Sequence, residues 1–140
     1  MIEFVYERDF EWVHKHEKSI KDILSAIADD YDKEALSLTL VFGDDDWLLD
    51  INQKFLNHDY FTDIITFDYS EHSVLSGDLC ISVDRVCDNA KEHNVSRETE
   101  LFRVVIHGAL HLCGLNDKSE EQKTEMRLTE NKYLSLINLN

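Results

Sequence analysis

Residues 107 to 117 read His-Gly-Ala-Leu-His-Leu-Cys-Gly-Leu-Asn-Asp, and no other segment limits the fold so tightly. His107 and His111 are four apart, a spacing that on an α-helix puts two imidazoles on one face, about 5–6 Å apart at Cβ. Leu101, Val104, Val105, Ala109 and Leu112 recur at helical spacing around them, so the pair belongs to a helix opened by Ser96 and running to Cys113. Gly114 offers a stop, because glycine takes the left-handed conformation cheaply. A chain that turns there brings Asp117 back toward the histidines. Two neutral imidazoles and one carboxylate make a three-ligand set with one position left for water. That is the layout of a catalytic zinc rather than a structural one. The same residues could be half-buried helix positions followed by a polar turn. The glycine stop and the third ligand at this offset favour the metal.

The pattern His-x-x-x-His-x-x-Gly-x-x-Asp resembles the zinc-binding stretch of metzincin-type proteases, whose third ligand is usually His. In those enzymes a general-base Glu follows the first His; here the position is Gly108, so the usual protease route is missing. Cys113 sits two residues past His111, about 200° around the helix, and is read as a core residue rather than a ligand.

The chain has 140 residues, no proline and four glycines, and its 43% hydrophobic content is enough for one compact domain over 1–140. No stretch approaches the ~20 apolar residues of a membrane span. The N-terminus lacks a basic region followed by an apolar run, so no secretory signal is read there and a cytoplasmic location is expected. Cys80, Cys87 and Cys113 are odd in number and form no CxxC pair, which argues for reduced thiols. The net charge of −15 argues against unspecific nucleic-acid binding, because phosphate contacts need cations. The charge is uneven: residues 1–50 hold 14 acids against 5 Lys/Arg, whereas 101–140 hold 5 against 5.

Strands are expected at Ile2–Tyr6, Leu36–Phe42, Asp63–Tyr69 and Gly77–Val83. Helices are expected at Glu11–Ala28, from Asp44–Asp46 through Phe55, from Asp84 to His93, over the motif, and after Ser119, where Ser-Glu-Glu-Gln fits a capping box. Met126, Tyr133 and Leu136 would be the core positions of the last helix. The acids at 44–46 are read as a cap rather than a metal cluster. The fold class is α+β: a small mixed sheet of about four strands packed with about five helices, the metal site at the end of a central helix.

The sequence resembles the YbeY family of bacterial endoribonucleases and rRNA maturation factors. The family signature His-Gly-x-Leu-His-Leu-x-Gly-Tyr-Asp-His runs along His107 to Asp117. A second family stretch, Asn-x-x-(aromatic)-Arg-x-x-Asp-x-x-Thr-Asp leading into a strand, runs along Asn52 to Phe67. A third is Gly77-Asp78 opening a strand. The first ~45 residues carry no motif. Two positions depart: Asp117 stands where the family has His, and Leu56 where it has Arg.

The resemblance implies a zinc- or other divalent-metal-dependent single-strand endoribonuclease acting in rRNA maturation and RNA quality control on the small ribosomal subunit. His107, His111 and Asp117 would act through a metal-activated water, with no protein general base. A carboxylate third ligand makes such a water less acidic and shifts preference toward harder ions. With the family arginine gone, Arg103, His58 and Lys54 become the candidate substrate contacts. Asp78 is a candidate partner for a metal-bound histidine. Two rival readings remain: a metalloprotease or other metallohydrolase, and a non-catalytic ribosome-biogenesis factor whose metal is structural.

Overall fold

The computed structural model describes residues 1–137; the last three residues of the domain expected over 1–140 lie outside them. Four strands form one mixed sheet in the order β1-β2-β4-β3: β1 (Ile2–Tyr6), β2 (Ala35–Gly43), β3 (Ile64–Asp68) and β4 (Val74–Ser82). β2 runs parallel to both β1 and β4, and β3 pairs antiparallel with β4. Alternation along β2 turns Leu38, Leu40 and Phe42 into the core, while Thr39 and Val41 face the other way half-buried.

Among the described residues six helices pack around the sheet: α1 (Glu11–His14), α2 (Glu17–Asp30), α3 (Asp45–Leu56), α4 (Val83–Glu92), α5 (Arg97–Leu112) and α6 (Glu120–Leu134). Helix α5 is central, touching α2, α4, α6, β3 and β4. Leu101, Val104, Val105, Ala109 and Leu112 are buried, and so are Phe102, Ile106 and Leu110 on its other sides. A helix apolar nearly all round is a buried one. This burial holds the two histidines near its C-terminal end in a fixed place.

Beyond shifts of one or two residues at element ends, the structure departs from the sequence reading in four places. The helix expected over Glu11–Ala28 is broken at Lys15-His16 into α1 and α2. Its apolar stripe is empty between Val13 and Ile20, so no packing holds one continuous helix there. Strand β4 begins at Val74 rather than Gly77, because nine-residue β2 pairs with it along its whole length. Gly77 lies inside that strand; a Cβ there would stand 2.4 Å from the Phe67 carbonyl oxygen of β3. Ser82, not Asp84, caps α4, accepting from Arg85 N at 3.2 Å. Asp84 instead accepts from Asp45 N, at the start of α3. Finally, α6 ends at Leu134, and Leu136 is exposed rather than core.

The caps at Asp44, Ser96 and Ser119 are as expected. Asp44 accepts from Trp47 N at 2.9 Å, and Ser119 with Gln122 forms a full capping box. Among the described residues no helix is long and apolar enough to cross a membrane.

Candidate metal centre

The motif folds as its spacing demands. His107 and His111 lie one turn apart on α5, and the helix ends at Cys113. Gly114 adopts φ +102°, the conformation that glycine enters without a Cβ penalty. Leu115 N then reaches back to Leu110 O and Gly114 N to His111 O, at 3.0 Å each, a Schellman closure. The reversal carries Asp117 to the histidines: its Oδ2 lies 3.4 Å from His107 Nε2 and 3.5 Å from His111 Nε2.

The hydrogen bonds on the outer side of each ring decide what these atoms can do. His111 Nδ1 donates to Leu115 O at 2.9 Å, a carbonyl that can only accept. His107 Nδ1 donates to Glu130 Oε2 at 2.7 Å. Burial tends to raise the Glu130 carboxyl, but the bonds from His107 and Arg103 outweigh it and hold its pKa below the ordinary value. Glu130 is therefore a carboxylate. With both Nδ1 atoms protonated, each neutral ring keeps its lone pair on Nε2, and the two Nε2 atoms lie 3.0 Å apart. Two lone pairs and a carboxylate oxygen thus converge with no donor among them. Such a set repels itself unless a cation or proton enters, and its donor chemistry suits a divalent ion of zinc's type. The three residues form a group that could hold a metal ion. Outward Nδ1–H bonds to a carboxylate and to a backbone carbonyl are what fix metal-binding histidines.

Glu130 is the residue the sequence reading missed. It is only 5% exposed and also accepts from Arg103 Nη1 at 2.9 Å. The available signal was an acid on the buried stripe of α6, between Met126 and Tyr133. Asp78, the partner offered from sequence, instead accepts from Tyr69 Oη at 3.1 Å. It lines a hollow with Thr39, Val41 and Phe67, apart from the histidines.

Two clefts meet at His107 and Asp117. One, of about 550 Å³, runs between α5, β3 and the loop after α3, lined by His58, Tyr60, Thr62, Asp63 and His111 among others. The other, of about 270 Å³, lies against α4, α5 and α6 and holds Arg103, Lys123, Arg127, Glu100 and His93. Asp63 lines both clefts. Burial lifts its carboxyl above the ordinary range against the pull of His107.

Of the candidate substrate contacts, His58 faces the first cleft. Arg103 edges the second, its guanidinium engaged by Glu130 and by Asn131 Oδ1 at 2.9 Å. Lys54 lies on α3 beside Asp50 at 3.0 Å and lines neither cleft. Asn52, 1% exposed, braces the loop between them: its Nδ2 donates to Tyr60 O at 2.9 Å.

Gly108 packs closely on the sheet. A Cβ there would stand 2.7 Å from Ile64 Cδ1 and 3.0 Å from Leu79 Cδ2, on the sheet side. Any side chain at this position, a protease-type Glu included, would have to displace Ile64 or Leu79. The protease reading thus lacks its base in the sequence, and the packing leaves little room for one at this position.

The model of the family described as "Endoribonuclease YbeY" matches residues 5–138. The Endoribonuclease YbeY of Flavobacterium johnsoniae is 43% identical over 139 residues, covering 99% of each chain. That of Phocaeicola vulgatus is 47% identical over 116 residues, 83% of this chain and 84% of its own. Among solved structures, the solution structure of TM1509 from Thermotoga maritima superposes with a TM-score of 0.70 at 29% identity, over 96% of this chain and 87% of that one. With the fold and nearly the whole length in agreement, the chain belongs to the endoribonuclease YbeY family.

Proposed function

We propose that this protein is a zinc-dependent endoribonuclease that cuts single-stranded RNA in ribosomal-RNA maturation, at the small-subunit RNA 3′ end, and in RNA quality control. The observation that carries the reading is the convergence of His107 Nε2, His111 Nε2 and Asp117 Oδ2 where two clefts meet. Relatives named as endoribonucleases over almost the full length support RNA as the substrate. Zinc held by these three residues would supply Lewis acidity toward a phosphoryl oxygen and acidify a water, less strongly than a three-His site would.

The chain's own residues do the rest. Glu130 holds the proton on His107 Nδ1, and Leu115 O holds that on His111 Nδ1, so both rings present Nε2 in fixed orientation. Arg103 keeps Glu130 ionised and sits at the edge of the second cleft, where it and His58 across the centre are the proposed contacts to RNA. Lys54, on the outer face of α3, would meet RNA only beyond the cleft. The net charge of −15 opposes the binding of free RNA, and action on RNA already docked on the small ribosomal subunit, where ribosomal proteins supply further contacts, resolves that tension. The three free thiols suit the reducing cytoplasm.

The test is elemental analysis of the purified protein beside His111→Ala and Asp117→Ala, followed by cleavage of an unstructured RNA. About one zinc or similar ion per chain, lost in both variants together with cleavage, is expected. Wild type that takes up no added metal, or that leaves RNA intact when loaded, sinks the reading.

A further inference from the structure

We infer that the stacked rings of His58 and Tyr60 form a platform for one unpaired nucleobase of the substrate, beside the metal centre. The inference rests on the ribonuclease reading of the site and names what holds the strand on one side of it. The larger cleft has no lysine or arginine in its lining among the described residues, whereas Asp63, Asp68 and Asp117 are there. A polyanion entering it meets carboxylates, so phosphate contacts do not hold it on this side.

What this wall offers is aromatic. The His58 and Tyr60 ring centroids are 5.2 Å apart with planes 23° from parallel, and Tyr60 Oη lies 3.0 Å from His58 Nδ1. Tyr60 is 56% exposed, so its ring is offered to the solvent and not to the core. Neighbouring Phe61 is engaged elsewhere, under the Arg85 guanidinium at 5.6 Å.

The platform is held from beneath. Asn57 takes φ +56° to end α3, and the carbonyl of buried Asn52 accepts from His58 N at 3.2 Å. The Asn52 side chain meanwhile ties down the Tyr60 carbonyl. A loop braced by a fully buried amide keeps its exposed ring pair in one place, which lowers the ordering cost of binding. Stacking on an aromatic ring needs a base whose face is free. Every base has such a face once unpaired, and bases within a duplex cover theirs. The platform therefore accepts single strands with little sequence preference and rejects helices.

The experiment uses the metal-loaded protein and a short unstructured RNA carrying 2-aminopurine, whose fluorescence falls on stacking. Three proteins are compared: wild type, Tyr60→Phe and Tyr60→Leu. Wild type should quench the probe, and Tyr60→Phe should keep both quenching and KM. Tyr60→Leu should raise KM by about 5- to 150-fold, the range that loss of one base–aromatic stack gives, with metal content unchanged. Wild type that cleaves without quenching, or Tyr60→Leu with wild-type KM, overturns the platform while the ribonuclease reading stands. Quenching is read on binding, so wild type that quenches the probe but cuts no RNA supports the platform and defeats the ribonuclease reading instead.

Discussion

Glu130 shows how much of a metal centre can sit outside its ligands. It makes no contact with Asp117 or His111, yet it sets which nitrogen of His107 is free. Replacing it by Gln keeps the shape and removes the charge that holds the Nδ1 proton. Loss of such a partner typically costs about 10–100-fold in metal affinity. Glu130→Gln should therefore weaken zinc binding by that factor in a competition titration, while the donor set stays complete. Unchanged affinity would show that Glu130 serves only Arg103.

The same surroundings fix the pH dependence. Burial alone would lower the His107 pKa, but the hydrogen bond and charge of Glu130, with Asp117 and Asp63 adding, outweigh it and raise the pKa above 6.5. A proton on Nε2 excludes metal, and a raised pKa means that this competition starts at higher pH than for an ordinary imidazole. Apparent zinc affinity should fall as pH is lowered through the neutral range, before an unperturbed histidine would titrate. Affinity flat from pH 8 to pH 6 would contradict this.

At the scale of elements, the motif depends on how α5 ends. Its Schellman turn both stops the helix and brings the Leu115 carbonyl to His111, so one glycine serves fold and site together. A Cβ at Gly114 would meet nothing within 4 Å, which leaves backbone conformation as the whole cost of substitution. Gly114→Ala at φ +102° should lose about 1–2 kcal/mol. Denaturant unfolding with an unchanged m-value checks this, and metal affinity should fall alongside as the turn relaxes. If Ala costs stability but leaves metal binding intact, the turn and the His111 carbonyl bond are independent. The break between α1 and α2 and the extra length of β4 belong to the same scale. The β4 boundary was set by a partner, the full length of β2, whereas the break between α1 and α2 follows from the lack of apolar positions between Val13 and Ile20.

At the scale of the whole molecule, net charge and site charge differ. The chain is strongly acidic, yet Lys123 and Arg127 gather at the smaller cleft beside Arg103, which Glu130 already engages. With Arg103 a proposed RNA contact, the three cations of this cleft predict a modest salt dependence for single-stranded RNA. At about 0.7 per phosphate contact, the slope of log affinity against log salt should be about −2.1. Lys123→Ala should reduce that slope by about 0.7. A wild-type slope steeper than about −3 would place further phosphate contacts elsewhere on the surface.

The sequence by itself determined the three residues that converge as a candidate metal site, the helix that carries two of them, its glycine stop, three of the helix caps and the α+β class. All of these follow from spacings within a few residues, where periodicity and capping chemistry act directly. It also carried the family signature, because those same local patterns are what the family shares. Only the tertiary structure decided that Glu130 and not Asp78 holds His107, for Glu130 lies 23 residues away on another helix. Only it turned Gly108 against the sheet, drew Arg103 into an ion pair, and set Asn52 beneath the His58–Tyr60 loop. Each of these depends on which surfaces meet when α5 is buried on all sides, and packing between distant segments leaves no fixed spacing along the chain.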